Sequence, residues 1–182
     1  MEDADYALGE ITADYPTFLS ELYQKYYGDT SAMGLAFTRE EIEYIRAQKQ
    51  VNIEFYREGP VYVWGDEFKV EEVITNFLTN AMNHAAGEKK ITIRFQKHDH
   101  LVRTSVFNTG DPIPEEDLDK IWVKFYKVDK ARTREYGGSG IGLSIVEATM
   151  KAHGKDYGVA NVEGGVEFYF DVESADSESV QC

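Results

Sequence analysis

The sequence predicts a two-layer α/β sandwich: one mixed, mostly antiparallel sheet with helices on one face. Three observations carry this. Stretches of alternating apolar and polar residues come as hairpin-connected pairs, at 90–96 with 101–107 and near 156–162 with 166–172. Segments of helical periodicity are interspersed with them, at 66–86 and at about 141–153. A chain of 182 residues is one domain by size, able to bury roughly two thirds of its unfolded surface.

In chain order, residues 14–27 (DYPTFLSELYQKYY) place Phe18, Leu19, Leu22, Tyr23 and Tyr26 at helical spacing, and Gly28-Asp29 ends the run. Such a stripe is more often core packing than a binding site. Thr38 with Glu41 forms a capping-box signal for a second helix through Gln50. Residues 1–50 are thus a helical leader or linker, and which of the two helices belongs to the domain stays open. Strands are expected at 51–56 and 61–64, then a helix opened by Asp66 as N-cap. In the strand at 90–96, Ile91, Ile93 and Phe95 alternate with polar residues. A short helix should follow Pro114, with proline at its start and Glu115 and Glu116 in its first turn. The last ten residues, ESADSESVQC, read as a disordered acidic tail at 173–182.

Two stretches carry chemistry. The first, WVKFYKVDKARTREYGGSGIGL from Trp122 to Leu143, sets five cations among two anions directly before a glycine cluster and a helix start, in a chain of formal net charge −14. A helix start offers unpaired N–H groups and the positive end of the macrodipole, and upstream glycines let backbone approach phosphate oxygens closely. A phosphorylated anion is the natural guest. Clustered glycines also mark ordinary loops, and this run is neither a dinucleotide fingerprint nor a P-loop.

The second is VEEVITNFLTNAMNHAA. At 100° per residue, Val70, Val73, Ile74, Phe77, Ala81 and Ala85 share one face, and Asn76, Asn80 and Asn83 form a narrow stripe on another. Asparagine is a poor helix former, so three in a stripe cost propensity that Glu, Lys or Gln on a merely solvated face would not. Carboxamide oxygens suit a hard cation such as Mg²⁺, which takes oxygen ligands alongside phosphates.

The order of these motifs resembles the catalytic and ATP-binding domain of two-component sensor histidine kinases, within the ATPase superfamily that includes gyrase and MutL. Asn76 to Asn80 resembles the family's N box, Asn108-Thr109-Gly110 with Ile113-Pro114 its first glycine box, Phe125-Tyr126 its F box, and Gly138 to Leu143 its second glycine box. The match covers about 51–172, and the stretch 108–143 is most similar to kinases of the vancomycin-resistance sensor type. The resemblance implies a Bergerat-type ATP-binding fold. It also implies ATP and Mg²⁺ as ligands, with Asn80 on the metal and Asn76 near the phosphates. Asn83 and His84 fall where the family often has nucleotide contacts, although His84 suits a surface histidine equally well. Base recognition would fall to Asn108, Gly110 and Ile113. The residues between Phe125 and Gly138 would form the ATP lid, with Lys127, Arg132 and Arg134 as candidate phosphate contacts. Gly140, Gly142 and Leu143 would lie at the phosphate-facing helix start.

Three departures bear on function. The family's base-binding aspartate is Asn108 here, whose amide accepts from adenine without charge and could donate to guanine. Pro112 replaces a glycine, which stiffens the loop and removes a donor. The hydrolytic members place a glutamate where this chain has Asn76, an amide unsuited to general-base work; this favours transfer to a protein acceptor, and also counts against a serine/threonine kinase of the anti-sigma-factor type. A degenerate docking module is the other alternative.

None of the four histidines, His84, His98, His100 and His153, has the setting of a phosphoacceptor helix. The expected partners are a dimerisation and phosphoacceptor hairpin outside this chain and, indirectly, a response regulator. The acidic balance argues against nucleic acid or an anionic membrane surface. No run approaches the roughly 18 apolar residues of a membrane span. The single cysteine, Cys182, excludes an intrachain disulfide. The expectation is a cytoplasmic domain of a membrane-anchored sensor.

Overall fold

The computed structural model describes residues 9–10, 51–56, 61–128 and 140–175. The two leader helices expected at 14–27 and 38–50, and most of the lid, lie outside the described residues. The strands are β1 (Gly9–Glu10), β2 (Asn52–Tyr56), β3 (Val63–Gly65), β4 (Lys90–His98), β5 (Leu101–Thr109), β6 (Tyr157–Val162) and β7 (Gly165–Ser174). Among the described residues two α-helices, α1 (Glu67–His84) and α2 (Gly142–Ala152), accompany them. The strands form one sheet in the order β1-β3-β7-β5-β4-β2, with β6 also paired to β7. Among the described residues only the β2–β4 pairing is parallel, with Ile53 opposite Ile91; the remaining pairs are antiparallel.

Pleat alternation divides the sheet as the sequence implies. Ile91, Ile93 and Phe95 of β4, Val102 and Val106 of β5, and Val166, Phe168, Phe170 and Val172 of β7 are buried. Against them α1 lays Val70, Val73, Ile74, Phe77 and Ala81. Phe77 sits at the centre, its ring 5.3 Å from Phe168 and 6.0 Å from Phe170. Trp122 seals the core beside α2, edge-on to Tyr157 at 4.9 Å and to Phe168 at 6.0 Å. The opposite face of the sheet carries charge in cross-strand pairs. Arg103 grips Asp171 with two bonds of 2.8 Å and lies 4.1 Å over the Tyr169 ring, Arg94 meets Glu167 at 3.2 Å, and Lys90 meets Glu54 at 2.8 Å.

The local signals work as expected at the start of α1, where the Asp66 carboxylate accepts from the Lys69 N–H at 3.1 Å. Two details differ. The helix expected after Pro114 is two 3-10 turns, Glu115–Asp117 and Lys120–Trp122, whose tight i→i+3 geometry redirects the chain so that Ile121 and Trp122 both reach the core. β7 runs through Ser174, past the expected start of the tail, because Glu173 and Ser174 pair with Trp64 and Val63 of β3. The asparagine stripe is not a solvated back face: Asn76, Asn80 and Asn83 are half-buried, and Asn76 lies against Gly142 of α2.

Candidate functional site

The middle of α1 meets the start of α2. A β-carbon at Gly142 would lie 2.5 Å from the side-chain oxygen of Asn76, so only glycine lets the two helices approach here. The Asn76 amide nitrogen donates to the Glu72 carbonyl at 2.9 Å, a bond within its own helix. That fixes the amide with its oxygen toward α2. Ile141, at the N-cap of α2, gives no side-chain cap, and Ser144 turns its hydroxyl back onto the Ile141 carbonyl at 2.7 Å. The first-turn N–H groups of α2 are therefore left to another acceptor.

The C-terminal end of α1 meets the end of β5. Thr109 welds the two: its hydroxyl donates to the Ala86 carbonyl at 2.8 Å and accepts from the Lys90 N–H at 3.0 Å, while its carbonyl accepts from the Ala86 N–H at 2.8 Å. Gly110 follows with a φ of +153°, and a β-carbon on it would lie 2.8 Å from the His84 carbonyl. Asn108, one step before, points to the helical side of the sheet and is buried. Its amide nitrogen donates to the Thr109 carbonyl at 3.2 Å, but its buried side-chain oxygen has no hydrogen-bond donor. An unsatisfied buried acceptor costs about 1–3 kcal/mol, so this atom calls for an explanation.

Two glycine contacts thus bracket one face of α1, Gly142 at Asn76 and Gly110 at His84. They span about 12 Å of helix at about 1.5 Å rise per residue. Asn80 and Asn83 lie between them. Asn80 is half-buried and its side chain forms no hydrogen bond among the described residues. His84 is exposed.

The segments on either side of residues 129–139 are a third element. The Phe125 N–H donates to the Gly140 carbonyl at 2.7 Å, which brings Phe125 and Gly140 side by side. Phe125 holds a φ of +67°, a strained conformation for an aromatic residue, and its ring is exposed beside the Lys124 ammonium. Tyr126 donates to Asp117 at 2.6 Å, anchoring the loop to the first 3-10 turn. Ile113 and Leu143 pack against the core from either side. Lys127 is half-buried; Arg132, Arg134 and Gly138 lie outside the described residues.

Residues 65–176 match the family described as histidine kinase-, DNA gyrase B- and HSP90-like ATPases. The chain belongs to that family. As a member, it carries the catalytic, ATP-binding domain of sensor histidine kinases. The sensor histidine kinase WalK of Bacillus subtilis is 34% identical over 143 residues, which is 70% of this chain and 23% of that protein. The sensor histidine kinase CusS of Escherichia coli K12 is 38% identical over 106 residues, 58% of this chain and 22% of that one. This histidine kinase-like domain therefore spans about a quarter of the length of the curated relatives it matches. Among solved structures, the catalytic domain of the histidine kinase ThkA superposes with a TM-score of 0.69 at 26% identity, covering 95% of this chain and 96% of that one. Full-length ShkA in complex with AMPPNP shares the fold, with a TM-score of 0.70 at 22% identity over 96% of this chain and 33% of that one.

Sequence reasoning overlooked two residues that tie the elements of the candidate site together. Asp117 receives the Tyr126 hydroxyl. Asn161, near the end of β6, bonds the main chain of Ile113. Neither carries a local signal: an acid in an acidic turn and an asparagine near a hairpin both read as solvated surface.

Proposed function

We propose that this domain binds Mg²⁺-ATP and transfers the γ-phosphoryl group to a histidine on a dimerisation hairpin outside the described chain, as one step of two-component signalling. The observation that carries the reading is the bracketed face of α1, where unspent Asn80 lies between the Gly142 and Gly110 contacts and the orphaned Asn108 oxygen waits near one end. In this assignment the adenine exocyclic amine donates to Asn108, Gly110 leaves room for the base, and the phosphates meet the uncapped start of α2. Asn80, with Asn83 nearby, offers the carboxamide oxygen for Mg²⁺, which when bound neutralises phosphate charge. The lid cations Lys127, Arg132 and Arg134 complete the charge balance.

In the transfer, the acceptor imidazole nitrogen forms a bond to the γ-phosphorus as the bond to the ADP oxygen breaks. This chemistry asks mainly for position and charge stabilisation. Asn76 supports transfer over hydrolysis: its amide is spent on the Glu72 carbonyl and on the approach to Gly142, so it offers no base for water. ThkA has been crystallised with the response regulator TrrA, and a response regulator is the natural downstream partner here. None of the helices among the described residues is long and apolar enough to cross a membrane, which suits a domain on the cytoplasmic side of a membrane-anchored sensor. The likeness to the vancomycin-resistance sensor type belongs to the same proposal and rests on the stretch 108–143.

The test is calorimetric titration with a non-hydrolysable ATP analogue, with and without Mg²⁺, and with its guanine counterpart. Adenine-preferring, magnesium-dependent binding that weakens about tenfold or more in Asn80→Ala is expected. Full binding by Asn80→Ala with intact magnesium dependence would remove the metal assignment. Phosphotransfer to a histidine-bearing hairpin, and none to a serine-bearing protein, separates the kinase from its relatives.

A further inference from the structure

We propose that Asn161 is a positioning residue of the nucleotide site, and that the β6–β7 hairpin is the template on which the base-side loop is laid. The inference rests on the nucleotide-binding reading above. Residues 111–114 have no regular structure, so their main-chain polar groups must find partners elsewhere. One side chain supplies both for Ile113. The Ile113 N–H donates to the Asn161 side-chain oxygen at 2.8 Å, and the Asn161 amide nitrogen donates to the Ile113 carbonyl at 2.7 Å.

This is the pairing a neighbouring strand would give, delivered by a carboxamide from 48 residues away. The same hairpin makes a second tie, in which the Gly110 N–H donates to the Gly164 carbonyl at 3.2 Å. The loop is thus held at Gly110 and at Ile113, the two ends of a stretch that contains Pro112 and directly follows Asn108. With the Ile113 side chain packed on the core, the path between Asn108 and Pro114 is fixed from both sides before any ligand arrives. Such preorganisation raises affinity by removing ordering cost from the binding step.

The chemistry of the clamp is selective. A carboxamide has both a donor and an acceptor at the required spacing. Aspartate keeps the bond from the Ile113 N–H but sets a carboxylate against the Ile113 carbonyl. Alanine leaves both main-chain groups to water.

The experiment compares wild type, Asn161→Ala and Asn161→Asp in the intact chain. It measures affinity for ADP and for the non-hydrolysable ATP analogue, magnesium dependence, thermal melting, and amide exchange at Gly110 and Ile113. Asn161→Ala should weaken both nucleotides by the same factor, about tenfold, with unchanged magnesium dependence and faster exchange at Ile113. Asn161→Asp should fall between the two. A purely structural role would lower the melting temperature while the folded protein kept wild-type affinity, and that result overturns the proposal. So does unchanged exchange at Ile113. If wild type itself binds neither nucleotide, the nucleotide reading fails first and takes the functional half of this one with it, whereas a variant defect against a competent wild type isolates Asn161.

Discussion

The side-chain oxygen of Asn76 lies where a β-carbon on Gly142 would have to pass, 2.5 Å away. A methyl group at residue 142 must therefore push α2 off α1 or turn the Asn76 amide out of its bond to Glu72. Gly142→Ala is expected to cost about 1–3 kcal/mol of stability, the range for overpacking, and to weaken nucleotide binding about tenfold by displacing the start of α2. Asn76→Ala alone loses one local hydrogen bond but gains helix propensity, so its effect on stability is small. The double variant removes the clash and should recover at least half of the Gly142→Ala loss. A double-mutant cycle in chemical denaturation reads the coupling, and simple additivity would show that the contact is not what fixes the helices.

Asn108 separates binding from stability. Its oxygen is buried without a donor, and its nitrogen makes a single 3.2 Å bond. Asn108→Ala removes a weak bond and relieves an unsatisfied acceptor at the same time, so the ligand-free protein should lose no more than about 1 kcal/mol. Nucleotide affinity should fall about tenfold to a hundredfold, because the adenine amine loses its acceptor. Melting with and without nucleotide measures both. A variant that loses stability but binds normally would make Asn108 a core residue and nothing more.

The far face of the sheet offers the opposite case. Arg103 and Asp171 form a two-bond pair in which the carboxylate is buried and a third of the arginine side chain stays in water. The bond to Asp171 holds the Arg103 guanidinium above its ordinary range, against the opposing effect of burial. Arg103→Met strands the buried carboxylate, at about 2 kcal/mol, below the 3–5 typical of a fully enclosed pair because solvent can reach this one. Nucleotide affinity per folded molecule should not change. Denaturation and titration of the same preparation check both halves.

The sheet and the two α-helices were legible because each rests on periodicity. The alternation of Ile91, Ile93 and Phe95 and the stripe from Val70 to Ala85 fix which face is buried whatever lies around them. The asparagine stripe stood out in the sequence because three poor helix formers on one face need a reason. What stayed hidden depends on partners distant in sequence. The clamp from Asn161 to Ile113 and the anchor from Tyr126 to Asp117 are made by residues whose neighbours in the chain say nothing about them. The redirected turns at Glu115–Asp117 and Lys120–Trp122 were hidden for the same reason, because it is the core around Phe168 that draws Trp122 inward.

The Tyr126–Asp117 anchor carries its own pH signature. The hydroxyl of Tyr126 holds the Asp117 carboxyl below its ordinary 3.8, with Lys120 adding to the effect and burial opposing it. The same bond, with burial assisting, holds the Tyr126 phenol above its ordinary 10.0. A depressed carboxylate contributes stability above its unfolded value and loses it as pH falls through the folded one. A raised phenol contributes below its unfolded value and loses it as pH rises through the folded one. The anchor should accordingly hold from about pH 4 to about pH 10 and open at both ends. In Tyr126→Phe the Asp117 midpoint, followed by carboxyl carbon shifts, should move up toward 3.8 while Lys120 still restrains it. At neutral pH the same variant should bind the ATP analogue about twofold to fivefold more weakly, because the segment that follows Phe125 then loses its tie to the first 3-10 turn. An Asp117 midpoint identical in wild type and variant would mean that the hydroxyl does not hold the carboxylate in solution, and the lid would need another anchor.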